Sequence, residues 1–146
     1  MVAGPRKYDR SRPSTEVGED LTAHFDGDID DVTGSRLAAG VALEALARRD
    51  PPSCPQSHGD ILLVVTELAA NAVQYAPGPF VLRMRRTFDG LHVTVRDTSP
   101  RPPVPRPCDP ARGTGGLGWH LIQALSRQVS VLHDPGGKEI HAFLPW

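Results

Sequence analysis

The segment from Phe80 to Arg96 constrains the fold more than any other part of the chain. Phe80, Leu82 and Met84 alternate with Val81, Arg83 and Arg85, and Leu91, Val93 and Val95 alternate with His92, Thr94 and Arg96. A period of two predicts strands over residues 80–87 and 91–96, each with one face toward a core and one toward solvent. Asp89-Gly90 between them is a hairpin signal, so the two strands pair antiparallel. A sheet begun in this way needs helices to cover its apolar face.

The chain supplies them. Ile61, Val65, Leu68 and Ala72 recur at helical spacing within residues 60–75, and Pro77-Gly78-Pro79 ends that helix. Residues 32–49 are rich in Ala and Leu, with Leu37, Val41 and Ala45 at helical spacing and Asp30 and Asp31 as N-terminal acids. The run DPPSCPQSHG stops this earlier helix. Residues 21–29 read as a first edge strand. After Asp97, six prolines fall between Pro100 and Pro110, which excludes helix and central strand. A connection this long inside a domain is usually functional or disordered. A helix resumes over residues 117–127, with Leu117, Leu121 and Leu125 on one face. Strands over 129–132 and 140–144, joined by Asp134-Pro135-Gly136-Gly137, complete the order. Hairpins outnumber crossovers, which predicts an α+β two-layer sandwich with helices on one face of a mixed, mostly antiparallel sheet.

Composition limits the function. The 146 residues suit one core. Residues 1–20 are charged, bear Pro and Gly and almost lack large apolar side chains. They read as a flexible tail, leaving 21–146 as a single domain. A formal net charge of -1 removes the main argument for a nucleic-acid partner. Cys54 and Cys108 sit in PSCP and RPCDP, with neither a disulfide framework nor ligand spacing around them. No signal-peptide pattern and no membrane-spanning apolar run is present in the sequence, so a soluble, cytoplasmic protein is expected.

Three constellations carry chemistry. Glu67 and Asn71 are four residues apart on the central helix and face the same space at the border of its apolar stripe. An amide oxygen there can ligate a hard cation such as Mg, and a carboxylate can orient or deprotonate a nucleophile. Taken alone, the pair is an ordinary polar helix flank. Asp97 ends an apolar strand, where a carboxylate can accept from an exocyclic amine or simply bond its own following backbone. Gly113, Gly115, Gly116 and Gly118 cluster before a helix, where backbone N–H groups can wrap an anion. No Gly-Lys-Ser/Thr follows, so this is not a Walker loop.

Together these elements resemble the GHKL, or Bergerat, ATP-binding fold of histidine kinases, gyrase-type ATPases and anti-sigma-factor serine kinases. The wording is most similar to the last group in its actinobacterial form: LLVVTELAANAVQYA, LHVTVRDTSPRPP, GTGGLGWHLIQALS and GGKEIHAFLPW, with SRLAAGVALEAL as the Arg-containing first helix. The resemblance covers residues 21–146. It implies ATP and Mg as cofactors, with Asn71 binding Mg and Glu67 as the catalytic base. It implies that Asp97 reads the adenine amine, that residues 98–112 form the ATP lid, and that Gly113, Gly115, Gly116, Leu117 and Gly118 line the phosphates. The implied activity is a serine/threonine protein kinase acting on a small antagonist protein. A sigma factor is a further implied partner, and a homodimer is possible.

The sequence departs from that pattern at two points. Where the family usually carries Asp-x-Gly-x-Gly, the chain reads Asp97-Thr98-Ser99-Pro100-Arg101. Where a Thr often follows the Lys of the last hairpin, Lys138 is followed by Glu139. Two carboxylates side by side disfavour both being charged. Either nucleotide binding is weakened or Glu139 turns outward. These departures keep a second function open, a non-catalytic partner-binding module with weak or absent ATP binding. PRPPVPRP could also serve as a polyproline ligand, and His120, Trp119 and Trp146 read as surface or packing residues.

Overall fold

The computed structural model describes residues 20–99 and 117–146, so the expected tail and most of the expected lid lie outside it. The elements follow in the order β1 (Leu21–Phe25), α1 (Asp30–Arg49), α2 (Ser57–Tyr75), β2 (Phe80–Arg86), β3 (Gly90–Asp97), α3 (Leu117–Leu125), β4 (Gln128–Asp134) and β5 (Gly137–Pro145). The five strands form one sheet in the order β1-β2-β3-β5-β4. All four pairings are antiparallel, so the parallel pairing that a mixed sheet would require is not used among the described residues. The architecture is the expected α+β sandwich.

Strand alternation sorts the side chains. Leu82, Met84, Val93, Val95, Ile140 and Ala142 face the helices and are buried. The α2 stripe Ile61, Val65, Leu68 and Ala72 meets them, each at most 2% exposed. At about 25 cal/mol per Å² this shared burial is the main favourable term holding the two layers together. None of the described helices is long and apolar enough to cross a membrane.

Several expectations shift in register. The first strand stops at Phe25, because Gly27 adopts φ 96° and the Asp31 carboxylate accepts from the Gly27 and Asp28 amides at 3.0 Å each. These bonds turn the chain into α1. On α1 the Leu37 and Val41 side chains are 66% and 63% exposed, so the expected stripe points to solvent. The helix instead buries Leu43 and Leu46 together with Ser35, Ala39 and Ala42, three small residues that permit close approach to α2. The helix α2 starts at Ser57, three residues early, since the last of the preceding prolines, Pro55, lies before its Gln56 cap and blocks none of its hydrogen bonds. On α3 Gly118 and Ile122 are buried, while Leu121 and Leu125 of the expected line are half-buried, Leu125 packing against the core; the Leu117 side chain lies outside the described residues. The hairpin tip is Phe88–Asp89. Gly90 already belongs to β3, where a Cβ would lie 2.2 Å from the Leu144 carbonyl oxygen.

Candidate functional site

The apolar stripe of α2 fixes the rotation of that helix and therefore fixes Glu67 and Asn71. Both lie at the edge of the buried face and are half-buried. Among the described residues neither makes a hydrogen bond or ion pair. Burial pushes the Glu67 carboxyl above its ordinary value. A half-buried carboxylate with no counter-charge is a better proton acceptor than a solvated one.

Gly118 explains how α3 reaches α2. A Cβ built on Gly118 would lie 2.3 Å from Glu67 Oε2 and 3.3 Å from its Cδ. The missing side chain is what lets the Glu67 carboxylate lie across the first turn of α3. Two of the motifs singled out by sequence, the helical Glu and the last glycine of the Gly cluster, are thus in direct contact. Leu117 opens α3 at the same turn. Gly113, Gly115 and Gly116 lie outside the described residues.

The other end of the candidate site is built by strand ends. Asp97 and Lys138 are partners in the β3–β5 register, on the side facing the helices. Lys138 Nζ lies 2.7 Å from Asp97 Oδ2, with side chains 6% and 2% exposed. Asp97 Oδ1 accepts from the Ser99 amide at 2.8 Å. Both carboxylate oxygens are therefore engaged, although an ionised carboxylate offers about four acceptor sites in all. Backbone crowds this corner. Gly137, at φ 148°, would place a Cβ 2.0 Å from the Asp97 carbonyl oxygen, and Gly78, at φ 125°, would place one 3.0 Å from Thr98 Oγ1.

Glu139 takes the outward course. Alternation puts it on the opposite face from Asp97, where Arg96 lies at 3.9 Å and His141 at 3.3 Å. It does not compete with Asp97 for charge.

Lys138 was missed as a site residue, yet its signal was present. It is in phase with Ile140, Ala142 and Leu144, which marks the core side of β5. A lysine in that phase needs a buried counter-charge, and Asp97 is the carboxylate opposite it. Gly78 was legible only as part of a helix stop and Gly27 lay inside the expected first strand, because the contact that requires Gly27 joins it to the distant Gly78.

A family model described as a histidine kinase-like ATPase domain matches residues 32–143, most of the chain. The chain belongs to the histidine kinase-like ATPase domain family. ATP is the ligand that membership implies, and the half-buried Glu67–Asn71 pair, with no bonding partner among the described residues, is a fitting place for its phosphate end. No curated protein matches. Among solved structures, this ATPase domain is similar to the RsbU and RsbW domains of Rv1364c from Mycobacterium tuberculosis. That match has 17% identity and a TM-score of 0.61, covering 85% of this chain and 31% of that one. The chain therefore spans about a third of that protein's structure, and the likeness establishes the shared fold. A blue-light activated histidine kinase from Erythrobacter litoralis EL346 also matches through its histidine kinase domain, at 23% identity and a TM-score of 0.44 over 75% of this chain and 60% of that one.

Proposed function

We propose that this ATPase domain is a regulatory serine/threonine protein kinase of the anti-sigma-factor type, phosphorylating a small antagonist protein. The observation that carries this reading is the placement of Glu67 beside Asn71 on α2, with the Glu67 carboxylate lying over Gly118. Bound Mg-ATP would supply the phosphoryl group and the cation that neutralises charge at the phosphates. Asn71 would offer its amide oxygen to Mg, and Glu67 would accept the proton of the attacking hydroxyl. The backbone N–H groups of Gly113, Gly115, Gly116, Leu117 and Gly118 would meet the phosphates. Asp97 would accept from the adenine amine through the acceptor capacity that Lys138 and Ser99 leave. A sigma factor would be a second protein partner, bound and released rather than modified.

A competing reading is a non-catalytic partner-binding module, and the Asp97–Lys138 ion pair favours it. A carboxylate already satisfied by lysine gains less from adenine. Incubation with labelled ATP and candidate antagonist proteins separates the two. The kinase reading expects label on a serine or threonine of the antagonist, and a loss of about a hundredfold or more in Glu67→Ala with ATP binding retained. Nucleotide binding without transfer to any antagonist would favour the passive module.

A further inference from the structure

The helices cover one face of the sheet, and among the described residues no element covers the other. Strand alternation places Arg83 and Arg85 of β2 on this open face, and both are exposed. Among the described residues neither makes an ion pair or hydrogen bond. The carboxylates of the same face are occupied elsewhere. Asp134 lies 2.9 Å from Arg96, and Glu139 is shared between Arg96 and His141. Two guanidinium groups are thus left unbalanced on a chain whose formal net charge is -1.

A firm aromatic floor adjoins them. His92 stands opposite Arg85 in the β2–β3 register. Its ring stacks on Phe143 with centroids 4.3 Å apart and planes 11° apart. His92 Nε2 lies 2.8 Å from His141 Nδ1. The ring centroids are 5.0 Å apart, about the N···N distance plus the two ring radii, so the imidazoles meet edge to edge. This is a hydrogen bond in the ring planes. Glu139 faces the other nitrogen of His141, at 3.3 Å, so this run of side chains is held from both ends. The positive field of the face acts on its own histidines. Burial, then His141 and Arg85, hold His92 below the ordinary imidazole value, and burial with Arg83 does the same for His24.

We propose that this open face is a docking surface for an acidic protein segment, gripped by Arg83 and Arg85 beside the His92–Phe143 floor. Side chains two apart on a strand project about 6.5–7 Å apart. Alternate glutamates of an extended segment, or glutamates one helical turn apart, present carboxylates at a similar spacing. A second copy of this chain seated with its two-fold axis at Arg83 and Arg85 would set arginines against arginines, so an acidic partner suits these two residues better. The surface lies on the far side of the sheet from Glu67 and Asn71, so the inference stands apart from the nucleotide reading.

The test uses the full chain and a fluorescein-labelled peptide of alternating glutamate and serine, followed by anisotropy at low salt. The peptide is expected to bind. Arg83→Glu with Arg85→Glu should weaken it by about tenfold or more. Arg36→Glu with Arg48→Glu, the same charge change on exposed positions of α1, should weaken it less than about threefold. Melting temperatures of both variants report that the fold is kept, and single Arg83→Gln and Arg85→Gln variants replace the double variant if it fails to fold. No binding, or equal loss in the two double variants, would overturn the proposal. Tighter binding of a charge-matched oligodeoxythymidylate would overturn it in favour of a nucleic-acid face.

Discussion

The two ends of the candidate site differ in how they hold a carboxylate. At the α2–α3 end, Glu67 is half-buried, unpaired among the described residues and pushed toward protonation by burial. At the strand end, Asp97 is almost fully buried and bonded to Lys138 and Ser99. The first arrangement stores reactivity, since a poorly compensated carboxylate is ready to accept a proton. The second stores structure, since a buried ion pair joins β3 to β5 and fixes where the chain leaves the sheet. Of these two carboxylates, one is thus poised for chemistry and the other anchors the sheet.

Removing Lys138 attacks the anchor and should give the largest effect. Lys138→Met leaves the Asp97 carboxylate buried without a partner, at an expected cost of about 3–5 kcal/mol in urea denaturation. Adding Asp97→Asn should recover most of that loss. Glu67→Gln at the other end should cost nothing at neutral pH. The sign follows from linkage: a carboxyl whose folded value is raised contributes stability while protonated and loses it as pH rises through the folded value. Equal destabilisation by Lys138→Met and Glu67→Gln would erase the contrast between the two ends.

Gly118→Ala sharpens it. The new methyl would meet Glu67 Oε2, the far end of a flexible side chain that can swing aside. Stability should fall by no more than about 1 kcal/mol. Phosphoryl transfer should fall about tenfold to a hundredfold, because the displaced carboxylate no longer lines up with the acceptor hydroxyl. A smaller effect is expected from pH. The transfer rate should drop as pH falls through the value of Glu67, with an inflection above the ordinary glutamate value of about 4.3. A rate profile flat across the acid limb would remove Glu67 from the role of base.

The same contrast explains what was legible in the sequence. The α2 stripe could be read because all its members are apolar and face one way, and with it came the positions of Glu67 and Asn71. The face of α1 could not, because Ala and Leu occur on more than one side of that helix. Packing against α2 selected the side with Ser35, Ala39 and Ala42 and left Leu37 and Val41 in water. On α3 the fully buried positions are Gly118 and Ile122 while Leu121 and Leu125 stay half-buried, and at position 118 a glycine lets the Glu67 carboxylate lie close. The pairing of Asp97 with Lys138 depends on a cross-strand register between residues far apart in sequence. Alternation along β5 gives the phase of Lys138 but not its partner. The outward turn of Glu139 follows from the same alternation and was open to prediction.

The central claim is that the Glu67–Asn71 face of α2 holds a nucleotide. Thermal unfolding of the wild-type chain and of Asn71→Ala, with and without millimolar Mg-ATP, tests it most directly. A ligand present at about a hundred times its dissociation constant stabilises the folded state by about 2.7 kcal/mol, a shift of several degrees for a domain of this size. The wild type should show such a shift with Mg-ATP, and Asn71→Ala should lose most of it while melting normally without nucleotide. No shift in the wild type, or an undiminished shift in Asn71→Ala, would contradict the account.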